Sequence, residues 1–463
     1  MNRPLSLATI LTLSLGFVLV QLDVSIVNVA VARIGEGLRT DMAGLQWIVD
    51  AYSVAFAALL MSGGALCDRF GARQVFVAGF LVFALASAAC GVAPGLASLI
   101  VARTVQGMAA AMLVPGSLSL LAQACDDERE RARAVGIWTA AGALAVAAGP
   151  VVGGVLVDTV GWRWIFLVNV PIAAAAIALA RRHVPRVAHP KTGPRLDVTG
   201  VVLAAVTLFA LTAAIIEGPV LGLHHPVLRA AIALAVVGAV AFVTIEARRA
   251  DTAMLPLHLF RRPSFSAALT VGLAINLTIY GFLFVMALYF QRAALLSPLW
   301  TGLAFLPVAA LVGGTNLLAG RLSARFGVRL PMLMGLLGAA VGYTLLIGIG
   351  ARTPYTEMLV GLCLISGGTG LAVPAMTSAV LASVERQRAG IASGVLNTVR
   401  QAGGATGVAL FGALTHGDVD ALIGGLHVVF AIAAALLAVA AGVAALALAG
   451  SGDKRGREGT KVS

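Results

Sequence analysis

The stretch "GALCDRFGAR", residues 64–73, recurs as "GRLSARFGVR", residues 320–329, at an offset of 256 residues. Each copy stands in a short polar interval between two long apolar runs. Membrane transporters are often built from two related halves with the substrate site between them, so the repeat predicts such an organisation. The identical positions are Gly64, Leu66, Arg69, Phe70, Gly71 and Arg73 in the first copy and Gly320, Leu322, Arg325, Phe326, Gly327 and Arg329 in the second.

The composition around the two copies is that of a polytopic membrane protein. Of 463 residues, 60% are hydrophobic and 11% are charged, whereas soluble proteins carry roughly 25% charged residues. Apolar runs of about 20 residues, the length of a membrane-crossing helix, recur from end to end. We predict an all-α membrane protein with fourteen spans, numbered 1 to 14: 6–31, 46–66, 75–93, 97–122, 133–157, 163–181, 198–217, 226–247, 265–290, 299–319, 330–350, 356–382, 390–414 and 423–449.

The Lys and Arg residues indicate which ends of the spans face the cytoplasm, because cytoplasmic loops are enriched in them. With the N-terminus inside, 24 of these residues fall in inner segments, six in outer segments and two within spans. The even number of spans then places both termini in the cytoplasm. The net charge of +12 lies in short loops and not in a dense basic tract, so we predict no nucleic-acid partner.

The sequence lacks the common patterns for a metal site, a nucleotide site or a catalytic centre. The four cysteines show no CxxC spacing, and neither HExxH nor GxxxxGK[ST] occurs. The longest polar stretch, residues 181–197, is too short to fold as a catalytic or sensor domain. We therefore expect no cofactor, no metal and no enzymatic activity.

Several stretches, taken in order, resemble the major facilitator superfamily. "GALCDRFGARQ" resembles its signature loop after the second helix, "RTVQGMAAA" (103–111) its fourth-helix motif and "GPVVGG" (149–154) its fifth-helix antiporter motif. Further stretches are similar to its fourteen-helix drug:proton antiporter branch: "LDVSIVNVA" (22–30), "WRWIFLVNVP" (162–171) and "SGVLNTVRQAGG" (393–404). Within that branch, antibiotic exporters of actinobacteria are most similar in "WIVDAY" (47–52), "IIEGPVLG" (215–222) and "LYFQ" with "SPLWTGL" (288–303).

The resemblance implies a major facilitator fold of two six-helix bundles plus two additional helices. The second repeat copy follows span 10, so spans 7 and 8 are the simplest choice for the inserted pair. The predicted segments are an N-terminal bundle (1–182), a cytoplasmic loop (183–197), the two inserted helices (198–247), a cytoplasmic linker (248–264), a C-terminal bundle (265–449) and a cytoplasmic tail (450–463).

The function that the resemblance implies is proton-coupled export of antibiotics or other amphipathic drugs across the cytoplasmic membrane by alternating access. The partners would be a small amphipathic molecule and protons, and the chain would act as a monomer. A proton-coupled carrier of a specific metabolite or peptide is the alternative that stays open, although the fifth-helix motif disfavours it.

Asp23 and Asp50 are the two acids well inside the predicted spans, where an ionised side chain costs about 3 kcal/mol. The helical rise places Asp23 roughly 26 Å along span 1, and Asp50 and Arg103 about 6 and 9 Å from the outer ends of spans 2 and 4, at similar depth. Burial penalises a charged carboxylate and a nearby arginine favours it, so these three residues are predicted to couple protons to transport. Substrate binding or outer gating by Asp50, and plain helix-to-helix anchoring by Asp23 and Arg103, remain alternatives.

The repeated loop is predicted to form a cytoplasmic gate. An acid at the end of span 2 can pair with an arginine or cap a helix, holding the outward-facing state closed on the inside, and the glycines permit a tight turn. The second copy has Ala324 where the first has Asp68, so such a lock would be one-sided. The gate residues are Gly64, Asp68, Arg69, Gly71 and Arg73.

Two further sets of residues complete the predicted machinery. On span 5, a proline and three glycines combine a missing backbone hydrogen bond with close packing. The resemblance implies that they form a pivot that also seals against proton leak, with ordinary kinked-helix packing as the alternative; these residues are Gly149, Pro150, Gly153 and Gly154. Arg400 has no acid at its depth in the second half, so it is a candidate for binding an anionic group. The candidates for lining a substrate cavity are Asn28, Gln106, Asn276, Tyr280, Phe284, Asn397 and Arg400.

Overall fold

The structure, a computed structural model, describes residues 7–125, 128–184, 197–222, 224–248, 257–384 and 389–448. Those ranges are almost entirely helical and contain no β-strand. A 3₁₀ turn (Leu257–Arg261) precedes α10, and a π-helical turn (Tyr289–Ala293) continues it. The helices are α1 (Leu7–Leu38), α2 (Met42–Phe70), α3 (Ala72–Gly91), α4 (Leu96–Ala124), α5 (Glu128–Thr159), α6 (Trp164–Leu167), α7 (Asn169–His183), α8 (Val198–Leu221), α9 (Pro226–Arg248), α10 (Pro263–Leu288), α11 (Pro298–Ala304), α12 (Leu306–Phe326), α13 (Arg329–Leu346), α14 (Tyr355–Ala382), α15 (Ala389–Leu414) and α16 (Val419–Ala447).

Thirteen helical stretches in the described part of the chain are long and apolar enough to cross a membrane. They correspond to thirteen of the predicted spans, which confirms the all-α membrane fold. The remaining span, 390–414, is the 26-residue helix α15. Its length is also sufficient for a crossing, but Asn397, Arg400 and Gln401 in its middle lower its hydropathy.

Two of the predicted spans are interrupted helices. Span 6 consists of α6 and α7, which are separated at Val168, and span 10 consists of α11 and α12, which are separated at Phe305. Pro171 and Pro307 follow these breaks. Each lacks the N–H that would bond to the carbonyl four residues earlier, and this explains why the helix is interrupted there. Hydropathy does not register the breaks, since the residues around them are apolar.

The contacts divide the chain into two compact units. Unit 1 comprises Met1–Ile245 and Met286–Leu306, and unit 2 comprises Glu246–Val285 and Pro307–Ser463. In unit 1, α1 packs on α5, α2 on α4 and α8, and α3 on α4 and α7. In unit 2, α13 packs on α14 and α16, while close glycine contacts join α10 to α15 and α12 to α14. The first, second, third and sixth membrane segments of each half therefore have corresponding packing partners, as a structural repeat requires.

Glycines bring corresponding helix pairs into close contact in both units. In unit 1, a Cβ added at Gly149 of α5 would overlap the Ser25 hydroxyl oxygen of α1. In unit 2, a Cβ added at Gly407 of α15 would overlap the Leu277 carbonyl of α10. Small residues commonly allow membrane helices to approach in this way.

The repeated loop adopts the same local structure in both copies. Gly71 has φ +88° and Gly327 has φ +78°, so each copy turns through a backbone conformation that favours glycine. Two residues later, Arg73 Nη2 donates a hydrogen bond to the carbonyl of Arg181 in the last turn of α7, at 3.2 Å. In the second copy, Arg329 Nη2 donates to the carbonyl of Ala445 in the last turn of α16, at 3.1 Å. A cation at a helix C-terminus is stabilised by the carbonyl groups exposed there, so the sequence repeat is also a repeat of tertiary contacts.

Candidate functional site

An ion pair lies inside unit 1, between α1 and α4. Arg103 Nη1 donates a hydrogen bond to Asp23 Oδ2 at 2.6 Å, and the two side chains are 1% and 0% exposed. Asp23 and Arg103, which the helical rise placed at similar depth, are therefore in direct contact. Two charges removed from water are tolerated only when their geometry is good and their remaining polar atoms are satisfied.

The second carboxylate oxygen of Asp23 is satisfied by two amides. Gln106 Nε2 and Asn169 Nδ2 donate to Asp23 Oδ1 at 2.8 and 2.9 Å. Gln106 also donates to the Ser87 hydroxyl at 2.8 Å, and all these side chains are fully buried. Both carboxylate oxygens of Asp23 therefore have hydrogen-bond donors. Gln106, a predicted cavity residue, belongs to this network.

The guanidinium of Arg103 is held from several directions. Its Nε donates to the carbonyl of Ile48 on α2 at 3.0 Å, and its Nη1 donates to Gln106 Oε1 at 2.7 Å. The guanidinium carbon lies 4.4 Å from the centre of the Tyr52 ring and 5.7 Å from that of Phe166, distances at which a cation is attracted by the ring. The network therefore joins α1, α2, α3, α4, α6 and α7.

Asp50 is in the opposite situation. It is 0% exposed, and neither of its carboxylate oxygens has a hydrogen-bond partner in the described ranges. Ile48, whose carbonyl binds Arg103, lies two residues before Asp50, so their directions differ by about 200° around the helix. This explains why Asp50 shares its depth with the ion pair but is absent from its network. A lone buried carboxylate is far less costly to bury in its neutral, protonated form.

The glycines of the α5 motif face two different neighbours in unit 1. Gly149 and Gly153 contact Ser25 and Ile26 of α1, whereas a Cβ added at Gly154 would lie 2.6 Å from the Leu299 Cα. A Cβ at Gly302 of α11 would in turn overlap the Pro150 carbonyl. The motif is thus a surface on which α1 and α11 lie backbone to backbone.

The predicted gate residues lie at the inner end of α2 and the turn after it. Gly64 has open space where a side chain would begin, and Arg69 is exposed. Gly71 forms the turn and Arg73 binds the end of α7. The side chain of Asp68 lies outside the described residues.

The remaining cavity candidates have separate positions on three helices. The Nδ2 groups of Asn28, Asn276 and Asn397 donate to carbonyls four residues earlier in their own helices, at 3.1, 2.8 and 3.0 Å. Tyr280 packs against Gly404, and Phe284 is fully buried.

Arg400 lies with Tyr280 at the α10–α15 contact. Its Cγ is 3.6 Å from the position of a Cβ at Gly272. Its Nε is buried without a hydrogen-bond partner, and neither ion pair found in the described ranges includes it.

The structure also places residues to which the sequence assigned no role. Asn169 and Ser87 bind in the Asp23 network, and the carboxylate of Asp158 at the end of α5 accepts from the Ser297 hydroxyl and the Leu299 N–H at 3.1 and 3.0 Å. Of Asn169, Ser87 and Asp158, only Asn169 lies in a stretch that the sequence analysis singled out, "WRWIFLVNVP". Neutral polar residues are common in membrane helices, so depth alone does not identify them.

One further contact links two stretches that resemble antibiotic exporters. Trp47 Nε1, in "WIVDAY", donates to Glu217 Oε1, in "IIEGPVLG", at 2.9 Å. No group of three or more His, Cys, Asp or Glu side chains that could hold a metal is found in the described part of the chain.

Comparison with known proteins agrees with this architecture. The chain is 38% identical over 411 residues to the methylenomycin A resistance protein of Bacillus subtilis (strain 168), covering 89% of this chain and 88% of that protein. It is 39% identical to the methylenomycin A resistance protein of Streptomyces coelicolor, with 89% and 86% covered. The resemblance to actinobacterial antibiotic exporters is thereby confirmed.

A solved structure shows the same fold at low sequence identity. It is a bacterial homologue of the human lysosomal transporter Spinster, crystallised in an inward-facing and unoccupied conformation, with a TM-score of 0.67 and 17% identity. The match covers 96% of this chain and 98% of the other. A family model described as Major Facilitator Superfamily matches residues 13–408 and 315–462. With thirteen apolar helical stretches of membrane-crossing length in its described ranges, the chain is a multi-pass protein of the cytoplasmic membrane, and it belongs to the Major Facilitator Superfamily.

Proposed function

We propose that the protein exports antibiotics or other amphipathic compounds from the cell in exchange for protons. The relatives named as methylenomycin A resistance proteins match almost the whole chain, and this supports export of an antibiotic over uptake of a metabolite or peptide. In this proposal the chain is a carrier and not an enzyme, it works as a monomer without a cofactor, and its partners are the exported molecule and protons.

The observation that carries the proposal is the contrast between the two membrane acids of unit 1. Asp23 is paired with Arg103 and accepts hydrogen bonds from two amides, whereas Asp50 is buried and has no hydrogen-bond partner in the described ranges. In this proposal Asp50 carries the transported proton. A proton that reaches Asp23 neutralises it, weakens its pairing with Arg103 and so favours a different arrangement of the helices. Each proton that enters supplies about 2.3 kcal/mol per 100 mV of membrane potential.

The remaining sites have supporting roles in this proposal. The loop containing Arg69, Gly71 and Arg73 is the cytoplasmic gate, and Asp68 contributes a carboxylate to it. The α5 motif is the pivot and the seal against proton leak, which its close contacts with α1 and α11 support. Arg400, a half-buried cation that forms no ion pair within the described ranges, favours an anionic or strongly electronegative group on the exported molecule.

Growth of an efflux-deficient host on methylenomycin A tests the proposal. We expect the intact chain to protect the host, and Asp50→Asn and Asp23→Asn each to abolish most of the protection. Asp41→Asn is the matched control, because Asp41 caps α2 through the Gly44 N–H at 3.0 Å and asparagine caps equally well. Full protection by both membrane variants would contradict the proposed coupling.

Proton exchange itself is measured on vesicles that contain the purified protein and a lumenal pH dye. Adding methylenomycin A to vesicles with an acidic lumen should release lumenal protons. The release should be absent with Asp50→Asn and unchanged with Asp41→Asn. Export that continues without proton movement would exclude antiport.

A further inference from the structure

We propose that Glu217, on the inserted helix α8, collects an external proton and delivers it to Asp50. This rests on the proposed function, in which Asp50 carries a transported proton. It extends that function to a helix that lies outside the two predicted six-helix bundles.

The first support is a polar contact between α8 and α2 at membrane depth. Trp47 Nε1 donates to Glu217 Oε1 at 2.9 Å, and α8 packs along α2. Both side chains are half-buried and near the ends of their helices that the loop charges place outside. An acid in a membrane helix is costly, faces protein or water and usually serves a function. The single indole N–H satisfies only part of a carboxylate.

The second support is the position of Asp50 relative to this contact. Asp50 follows Trp47 by three residues on α2, and such side chains are neighbours with Cβ atoms roughly 5–6 Å apart. Glu217 therefore meets α2 one turn outside Asp50. Asp50 is completely buried and has no hydrogen-bond partner in the described ranges, so a proton from outside must reach it by way of another group. Glu217 is only half-buried and lies in the last turns of α8, at the end where the external proton enters in this proposal.

The other titratable groups near this level are less suited to the task. Asp41 is engaged as the N-cap of α2. His224 and His225 lie beyond the end of α8, in the loop that follows it. Arg103, which also contacts α2, is paired with Asp23. Of the acids on α2 and α8 within the described residues, Glu217 is the one that is partly exposed, membrane-embedded and one turn from Asp50.

The step is a proton exchange between two carboxyl groups. An external proton binds the carboxylate of Glu217. The O–H bond of Glu217 then breaks as an O–H bond forms on Asp50, directly or through an intervening water molecule. The indole N–H of Trp47 stays intact throughout, and it stabilises the negative charge that returns to Glu217. No other reactant is consumed.

Efflux of methylenomycin A from whole cells, where the orientation of the protein is fixed, tests the proposal. Glu217→Gln keeps an oxygen that accepts the indole hydrogen bond but cannot carry a proton. We expect it to slow efflux about ten-fold at alkaline external pH, a modest effect for loss of a proton-transfer group. The rate should recover as the external pH falls, because Asp50 is then protonated without help. Glu217→Asp should retain the parental pH profile.

Trp47→Phe is the matched control, since it removes the hydrogen-bond donor and keeps the acid. If Glu217 only fastened α8 to α2, Trp47→Phe would impair efflux more than Glu217→Gln, and Glu217→Gln would match the parent at every pH. That order of effects overturns the proposal. Asp50→Asn distinguishes failure of the proposed function from failure of this inference. If the Asp50→Asn variant is active, Asp50 does not carry the transported proton. If it is inactive while Glu217→Gln is fully active, Asp50 carries the proton but Glu217 does not deliver it. All variants are compared at equal abundance in the membrane.

Discussion

The two membrane acids of unit 1, Asp23 and Asp50, differ in the hydrogen-bond donors that surround them. Asp23 accepts hydrogen bonds from three side chains on two other helices, α4 and α7, whereas Asp50 has no hydrogen-bond partner in the described ranges. The ion pair between Asp23 and Arg103 connects several helices. Removing one partner is destabilising mainly because the other charge then remains buried without a partner.

This makes a prediction about stability. Asp23→Ala leaves the 1%-exposed Arg103 without its counter-ion, and we expect the free energy of unfolding to fall by about 3–5 kcal/mol. Replacing both residues, by Asp23→Asn with Arg103→Gln, should recover much of the loss because no charge remains buried. Thermal unfolding of the detergent-purified variants measures both effects. A double variant that is less stable than Asp23→Ala would show that the charges themselves hold the helices together.

The sequence predicted part of this site, and the limit is physical. The helical rise placed Asp23, Asp50 and Arg103 at one depth, and two of them do bind each other. Depth does not determine which way a side chain points, so the exclusion of Asp50 from the network was not predicted. The roles of Asn169 and Ser87 were not predicted, because neutral polar residues are common in membrane helices and neither depth nor composition identifies those that bind a buried acid.

At the scale of the element, hydropathy predicted the membrane segments well but not their internal breaks or close contacts. Pro171 and Pro307 interrupt two segments without changing their apolar character. The contact of α5 with α1 depends on which face of α5 carries the glycines, and this follows from packing and not from mean hydropathy. The "GPVVGG" motif predicted which residues of α5 pack closely, but not that their partners lie on α1 and α11.

The α5–α1 contact is testable by compensation. A Cβ at Gly149 would overlap the Ser25 hydroxyl oxygen and lie 2.7 Å from the Ser25 Cβ, so Gly149→Ala should force the two helices apart and lower export. Within the described ranges, Ser25 Oγ bonds to two carbonyls of its own helix, those of Gln21 and Leu22, so its loss leaves no polar group of another helix without a partner. Ser25→Gly in the Gly149→Ala background should therefore restore export, apart from about 1 kcal/mol of helix propensity. Failure of rescue, measured as growth on methylenomycin A, would mean that Gly149 serves another purpose.

At the scale of the whole molecule, the repeat extends beyond sequence identity. The packing pattern within unit 1 has a counterpart within unit 2, and an arginine of each repeated loop binds the last turn of the sixth segment of its own half. The two loops were recognisable in the sequence. The arginine contacts were not, because each joins residues more than a hundred positions apart in the chain. Two units that use the same device should respond alike to the same change.

The glycines of the two loops provide that comparison. Gly71 and Gly327 have positive φ, so replacing either with alanine should cost about 1–2 kcal/mol of stability. We expect the double replacement to cost the sum, because the two turns belong to different units. Gly64 and Gly320 are the matched controls: both are helical with open space at the Cβ position, so alanine there should be neutral or stabilising. Thermal unfolding measures the loss of stability for each variant. Equal losses at all four glycines would mean that the positive-φ turn is not the feature that the repeat preserves. Equal losses at Gly71 and Gly327 alone would show that the same turn stabilises both halves.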